Sequence, residues 1–248
     1  LAWIDEEAAL YSIVQLENPK VVTKFMSEIN FMSAAKQGDI VEIGLPFSDP
    51  MADGLVIQRS SSVALNEGMT LRRLFDELEG FRYMTSAPVV LMGYVNQFMC
   101  YGPEKFLKRC AELGVDGLLF PDLPMEVYLN EYENLFRYYG IQPVFMITPQ
   151  SDDFYIKKID EQCSSFLYAV SGNSITGKNT EIGKGQLSYL HRLSSLKTKN
   201  PVLCGFGIAD KKVFNAVCSE VNGAVIGSAF IRAQEEKRES LFLEELLS

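Results

Sequence analysis

The chain carries one histidine and one tryptophan among its 248 residues. The histidine, His191, lies inside the helical stretch GQLSYLHRL and away from any expected strand end, which excludes a Ser-His-Asp hydrolase. The five cysteines, Cys100, Cys110, Cys163, Cys204 and Cys218, are odd in number and form no C-x-x-C pair. Three sit in apolar surroundings and read as small core residues. A reducing compartment is therefore expected, with no metal ligation. No run approaches the roughly 18 apolar residues of a membrane-spanning helix. Basic residues are outnumbered, 23 against 32 acidic ones, for a net charge of −9. That balance argues against nucleic acid or an anionic membrane as the main partner. The opening LAWIDEEAAL has no basic region ahead of an apolar one, so a secretory signal is not expected. SGNSITGKN holds a Gly-Lys pair without the G-x-x-x-x-G-K-[ST] spacing of a nucleotide-binding loop.

What the sequence does contain is an alternation. The residues are 47% hydrophobic and 22% charged, as in an ordinary globular protein. Short runs that are apolar on both faces recur: DIVEIGL, APVVLMGY, VDGLLFPD, IQPVFMIT, SSFLYAV, NPVLCGFG and VNGAVIGS. Such runs suit parallel strands covered on both sides. Between them lie segments such as GPEKFLKRCAEL and MEVYLNEYENLFRYYG, whose apolar residues repeat at helical spacing. Gly38, Gly114 and Gly140 stand where helices should end. With a first strand at YSIVQL, this predicts eight strands, each followed by a helix. Units of roughly 25–35 residues and a total of about 250 fit a (β/α)8 TIM barrel, an α/β fold. A doubly wound sheet would carry a glycine-rich turn after its first strand, and YSIVQLENPK has none. No linker or composition change appears, so residues 1–248 are expected to form one domain.

In such barrels chemistry sits at the C-terminal ends of the strands. There the sequence places Glu42, Asp53, Asn96, Asp122, a long polar loop over 171–185, Gly205-Phe-Gly207 and Gly227-Ser228. The last two groups follow adjacent expected strands. Glycines there let a phosphate approach backbone N–H groups at a helix start, although they would equally serve tight turns. Glu42 interrupts an apolar run. It reads either as a structural carboxylate held by backbone donors, or as a buried acid of raised pKa that gives and takes protons near neutrality. Asp53, on the loop behind it, reads as an ionised partner that stabilises a developing cation.

The stretch EIGLPFSDPMADG, from Glu42 to Gly54, closely resembles the signature of the tryptophan synthase alpha subunit family. The likeness continues through LNEGMTL, LMGYVN, GVDGLLFPDLP, FLYAVSGNSITG, GFGI and GAVIGSA, in the same order. The resemblance implies a (β/α)8 barrel that cleaves indole-3-glycerol phosphate to indole and glyceraldehyde 3-phosphate in the cytoplasm, without a cofactor of its own. It implies a partner, a pyridoxal-phosphate-dependent beta subunit in an alpha2beta2 complex. By position, Glu42 matches the acid/base and Asp53 the aspartate that holds the indole N–H. Gly177, Gly207, Gly227 and Ser228 match phosphate binders. Thr176 matches a loop threonine that closes onto the aspartate. Tyr94, Tyr168 and Phe206 match residues near the indole. Asp49 and Pro50 lie on the loop that faces the partner. Two departures stand out: the first strand, VQLENPK, lacks the family's glycine, and Leu55 stands where proline is common. The alternatives are another phosphate-binding barrel acting on a related intermediate, or a weakly active barrel that serves as an allosteric binding partner.

Overall fold

The computed structural model describes the backbone of residues 10–15, 21–23, 25–26, 39–170, 182–205 and 207–247. Ten strands join in one sheet: β1 Leu10–Gln15, β2 Val21–Thr23, β3 Phe25–Met26, β4 Asp39–Gly44, β5 Val89–Met92, β6 Gly117–Leu119, β7 Gln142–Ile147, β8 Leu167–Val170, β9 Val202–Gly205 and β10 Gly223–Ile226. Each apolar run read as a strand from DIVEIGL onward is one, and neighbours from β4 to β10 pair in parallel.

Helices fill the gaps. They are α1 Leu55–Asn66, α2 Leu71–Glu77, α3 Val95–Tyr101, α4 Pro103–Leu113, α5 Met125–Val127, α6 Glu133–Tyr139, α7 Asp153–Gln162, α8 Lys184–Leu196, α9 Lys211–Cys218, α10 Ser228–Glu235 and α11 Glu239–Leu247. The expected helix over MEVYLNEYENLFRYYG is interrupted by a π turn at Tyr128–Tyr132. Gly114 and Gly140 do end α4 and α6, with φ of 84° and 69°, where a side chain would be strained. Gly38 lies outside the described residues. His191 rides on the outside of α8, its side chain 78% exposed and its Nδ1 3.4 Å from Glu220.

The first strand differs from expectation. YSIVQL is in a strand, but β1 runs antiparallel to β4, with Ser12 opposite Glu42. It is not the first of the parallel set. Only five residues separate Gln15 from Val21, far fewer than the dozen or so a parallel crossover needs. β2 instead takes the parallel place beside β10, with Val22 opposite Val225, while β3 pairs antiparallel with β1. Since β2 and β3 are separated by Lys24 alone, the two ends of the sheet are one stretch of chain, and the sheet closes on itself.

Period-two alternation sorts the side chains into two cores. Ile40, Val90, Met92, Leu119, Val144, Phe166, Tyr168, Leu203 and Val225 cluster inside the barrel. Val41, Ile43, Val89, Leu91, Leu118, Phe145, Leu167, Cys204 and Ala224, from the opposite strand faces, pack against the helices. Glu42 is two residues after Ile40, so it shares the interior face.

A buried carboxylate sets the start of β9. Asp160 of α7, 7% exposed, accepts the backbone N–H groups of Lys199 (2.6 Å) and Asn200 (2.9 Å) and the Asn200 Nδ2 amide (2.9 Å). Asp160→Ala orphans these donors and is expected to lower stability by about 2–4 kcal/mol. Thermal unfolding checks this; an unchanged Tm would show that water replaces the carboxylate without loss.

Candidate active site

Glu42 lies near the C-terminal end of β4 and is 2% exposed. The ladder continues past it: Leu45 N–H reaches Met92 O at 2.7 Å, and Gly93 N–H reaches Leu119 O at 3.0 Å. The chain then turns away from the sheet. Ser61 of α1 catches the turn, accepting the Phe47 N–H at 2.9 Å and donating to the Phe47 carbonyl at 3.1 Å. Met51 projects from the loop, 90% exposed. The loop ends at Asp53, whose N–H bonds Pro50 O at 3.0 Å and whose carbonyl accepts Gln58 Nε2 at 2.9 Å. Gly54 then starts α1, with Leu55 at its first helical position and 70% exposed. That position has no intrahelical acceptor for its N–H, so leucine there leaves the helix intact.

Tyr94 joins this loop to the next unit. Its hydroxyl donates to Asp53 Oδ2 at 3.1 Å and accepts the Ala52 N–H at 2.9 Å. Its ring stacks on Phe47, with centroids 5.0 Å apart. Burial, then the charge of Asp53, raises the pKa of this phenol, so it stays a neutral donor to the carboxylate. Tyr168, 7% exposed on the interior face of β8, is also raised, first by burial and then by the charges of Glu42 and Asp53. This phenol, too, stays neutral. Asp122 takes a structural part, accepting the Val95 N–H at the start of α3 at 3.0 Å.

β9 pairs with β10 with Gly205 opposite Val225, and Gly207 and Gly227 each stand two residues further along the chain. Gly207 has φ +50°, and a Cβ built on it would meet nothing within 4 Å. Gly227, at φ −105° and ψ −84°, opens α10, and no described side chain caps it. The first N–H groups of α10 have no intrahelical acceptor, the condition under which a helix start can receive an anion.

The sequence-predicted Glu42, Asp53, Tyr94 and Tyr168 thus meet at one end of the barrel, and Gly207, Gly227 and Ser228 meet at the ends of its last two strands. Thr176, Gly177 and Phe206 lie outside the described residues. Three contributors escaped the sequence. Gly205 is one: a Cβ there would lie 2.8 Å from the Tyr168 hydroxyl, so glycine lets that phenol lie across β9. Its place in GFG suggested a phosphate turn instead. Ser61 and Gln97 are the others, polar residues at helix positions with no motif around them.

The sequence matches the family described as "Tryptophan synthase alpha chain" over residues 4–245. It is 49% identical over 198 residues to the tryptophan synthase alpha chain of Flavobacterium johnsoniae, covering 80% of this chain and 78% of that one. The structure resembles a mutant tryptophan synthase alpha-subunit of Pyrococcus furiosus, with a TM-score of 0.78, 36% identity and coverage of 88% of this chain and 91% of the other. It also resembles a chain of the tryptophan synthase complex from the same organism, with a TM-score of 0.76, 34% identity and coverage of 88% and 89%.

Proposed function

The chain belongs to the tryptophan synthase alpha chain family, and from that premise we propose how its own residues carry the alpha reaction, the cleavage of indole-3-glycerol phosphate to indole and glyceraldehyde 3-phosphate. As a family member it is a carbon–carbon lyase of tryptophan biosynthesis. The observation that supports the residue assignment best is geometric: the Tyr94 hydroxyl holds the Asp53 carboxylate at 3.1 Å at the mouth of the barrel, and Glu42 is buried on the interior face of β4.

The reaction needs a proton on indole C3 before the bond to the glycerol side chain breaks, because the indoleninium cation leaves far more readily than the neutral ring. Glu42 supplies that proton and takes one from the neighbouring side-chain hydroxyl, which becomes the aldehyde. Asp53 accepts a hydrogen bond from the indole N–H and offsets the positive charge as it forms. Tyr94 holds the Asp53 carboxylate through its hydroxyl, and Tyr94 and Tyr168, both neutral, wall the ring. By their match to the family, Thr176 is assigned to closing onto Asp53, Phe206 to the indole pocket, and Gly177, Gly207, Gly227 and Ser228 to the phosphate. The experiment is turnover of indole-3-glycerol phosphate by the purified chain, followed by indole release; an inactive chain, with and without a beta subunit, would reduce it to a binding partner.

Phosphate recognition through backbone donors gives a separate expectation. Gly207→Ala puts a side chain at φ +50°, a strain of roughly 1–2 kcal/mol, and crowds the anion. KM for the phosphate substrate is expected to rise about tenfold or more, some 1.4 kcal/mol, while free indole binds as before. Equal weakening of both ligands, measured by titration, would place the fault in the barrel rather than in the phosphate site.

The same proposal includes the assembly. A beta subunit would dock on the loop carrying Asp49, Pro50 and Met51, which reaches from the mouth of the barrel into solvent, as an alpha2beta2 complex. The solved complex of Pyrococcus furiosus supports this. A cytoplasmic location accords with free cysteines at positions 110, 163 and 204. Among the described residues no helix is long and apolar enough to cross a membrane. Residues 1–248 are taken to be one domain, since a single sheet runs from β1 to β10.

A further inference from the structure

Gln97, half-buried on α3, touches three parts of the site. Its Nε2 donates to the Pro46 carbonyl at 2.9 Å, on the chain that leaves β4. Its Oε1 accepts the Tyr94 N–H at 3.1 Å. A Cβ on Gly93 would stand 2.6 Å from Leu45 Cδ1 and 3.0 Å from the same Gln97 oxygen, so the glycine leaves room for both the leucine and the amide. We propose that Gln97 is a positioning residue for Asp53: one side-chain amide fixes both ends of the catalytic loop. The inference rests on the reaction assigned above.

The loop from Ser48 to Asp53 has two anchors. Its near end is pinned at Pro46 by Gln97 and at Phe47 by Ser61. Its far end is gripped by the Tyr94 hydroxyl, through the Ala52 N–H and the Asp53 carboxylate. Tyr94 holds that hydroxyl in place only as well as its own backbone is held, and Gln97 bonds that backbone N–H. Gln97 is thus the one of these anchors that reaches both the near end of the loop and the residue that grips its far end. An amide suits the task. It donates and accepts from one planar head, whereas a carboxylate has no proton for Pro46 O and an ammonium has no lone pair for Tyr94 N–H. It is also neutral, and so places no further negative charge beside Asp53 and Asp122.

Such a role acts through geometry, and displacements of about 1 Å at a reacting centre cost up to about a hundredfold in rate. Gln97→Met keeps the length and volume but removes both bonds. In the full chain it is expected to lower kcat for indole release by about tenfold or more, with KM changed by less than about twofold. Hydrogen exchange at the Ala52 amide should quicken about tenfold, and Tm should barely move. Gln97→Glu keeps the acceptor for Tyr94 but sets a carboxylate against Pro46 O, and should lose at least as much kcat. A Met variant with wild-type kcat overturns the inference, whether or not exchange at Ala52 responds. Loss of folding in both variants, seen as a collapsed Tm, would make Gln97 structural only and overturns it too. A wild-type chain without turnover would instead overturn the reaction, and would be recognised because exchange at Ala52 would still answer to Gln97→Met.

Discussion

Glu42→Gln is expected to stop indole formation almost completely, lowering kcat by about 10²- to 10⁴-fold. The amide has the shape of the acid, so the inner core built on Ile40, Val90 and Tyr168 is undisturbed. It has lost the exchangeable acid proton and the basic lone pair together, so protonation of C3 and deprotonation of the side-chain hydroxyl fail at once. Stability should not suffer. At 2% exposure a neutral amide is less costly to bury than a carboxylate, so Tm should hold or rise. Substrate should still bind, since the proposed phosphate site, after β9 and β10, is untouched by the substitution. Indole release under saturating substrate, read beside a thermal melt, checks all three points. A variant that keeps more than about a tenth of the wild-type kcat would remove Glu42 from the role of acid and base.

Asp53→Asn is expected to cost about 10²- to 10³-fold in kcat with a small change in KM. The asparagine oxygen still accepts from the Tyr94 hydroxyl, now at 3.1 Å from Asp53 Oδ2, so the loop keeps its anchor. What disappears is the full negative charge that the indoleninium needs. Uniform binding is preserved and transition-state binding is lost, which is the signature of equal falls in kcat and kcat/KM. Normal kcat with a raised KM would instead make Asp53 a ring-holding residue with no electrostatic part in bond cleavage.

Much of this site is legible in the amino-acid sequence. Glu42 is visible because a charged residue interrupts a run whose other members must be buried. Asp53 is visible because a motif fixes its distance from Glu42. The glycines after β9 and β10 are visible because a tight turn between strand and helix demands them at those places. Other parts are hidden for a physical reason. Strand direction leaves no trace in periodicity: YSIVQL has the composition of a strand, and only its pairing with β4 makes it antiparallel. The π turn at Tyr128–Tyr132 departs from the helix only in its backbone bonding. Tyr94 meets Asp53 across 41 positions and Gln97 meets Pro46 across 51. Such bonds follow from adjacent strands β4 and β5 sharing one mouth, and no local pattern encodes them.

The join between β2 and β10 has a bearing on synthesis. Val22 lies opposite Val225, so the segment that seals the cylinder is made well before its mate. On the ribosome a nascent chain can add β4 to β9 one after another, each against a neighbour already outside the tunnel. The seam must wait until the C-terminal stretch has emerged. Until then β2 has an unpaired edge, open to a strand of another chain. The interval between the emergence of β2 and that of β10 is therefore the period in which this barrel is exposed to mispairing.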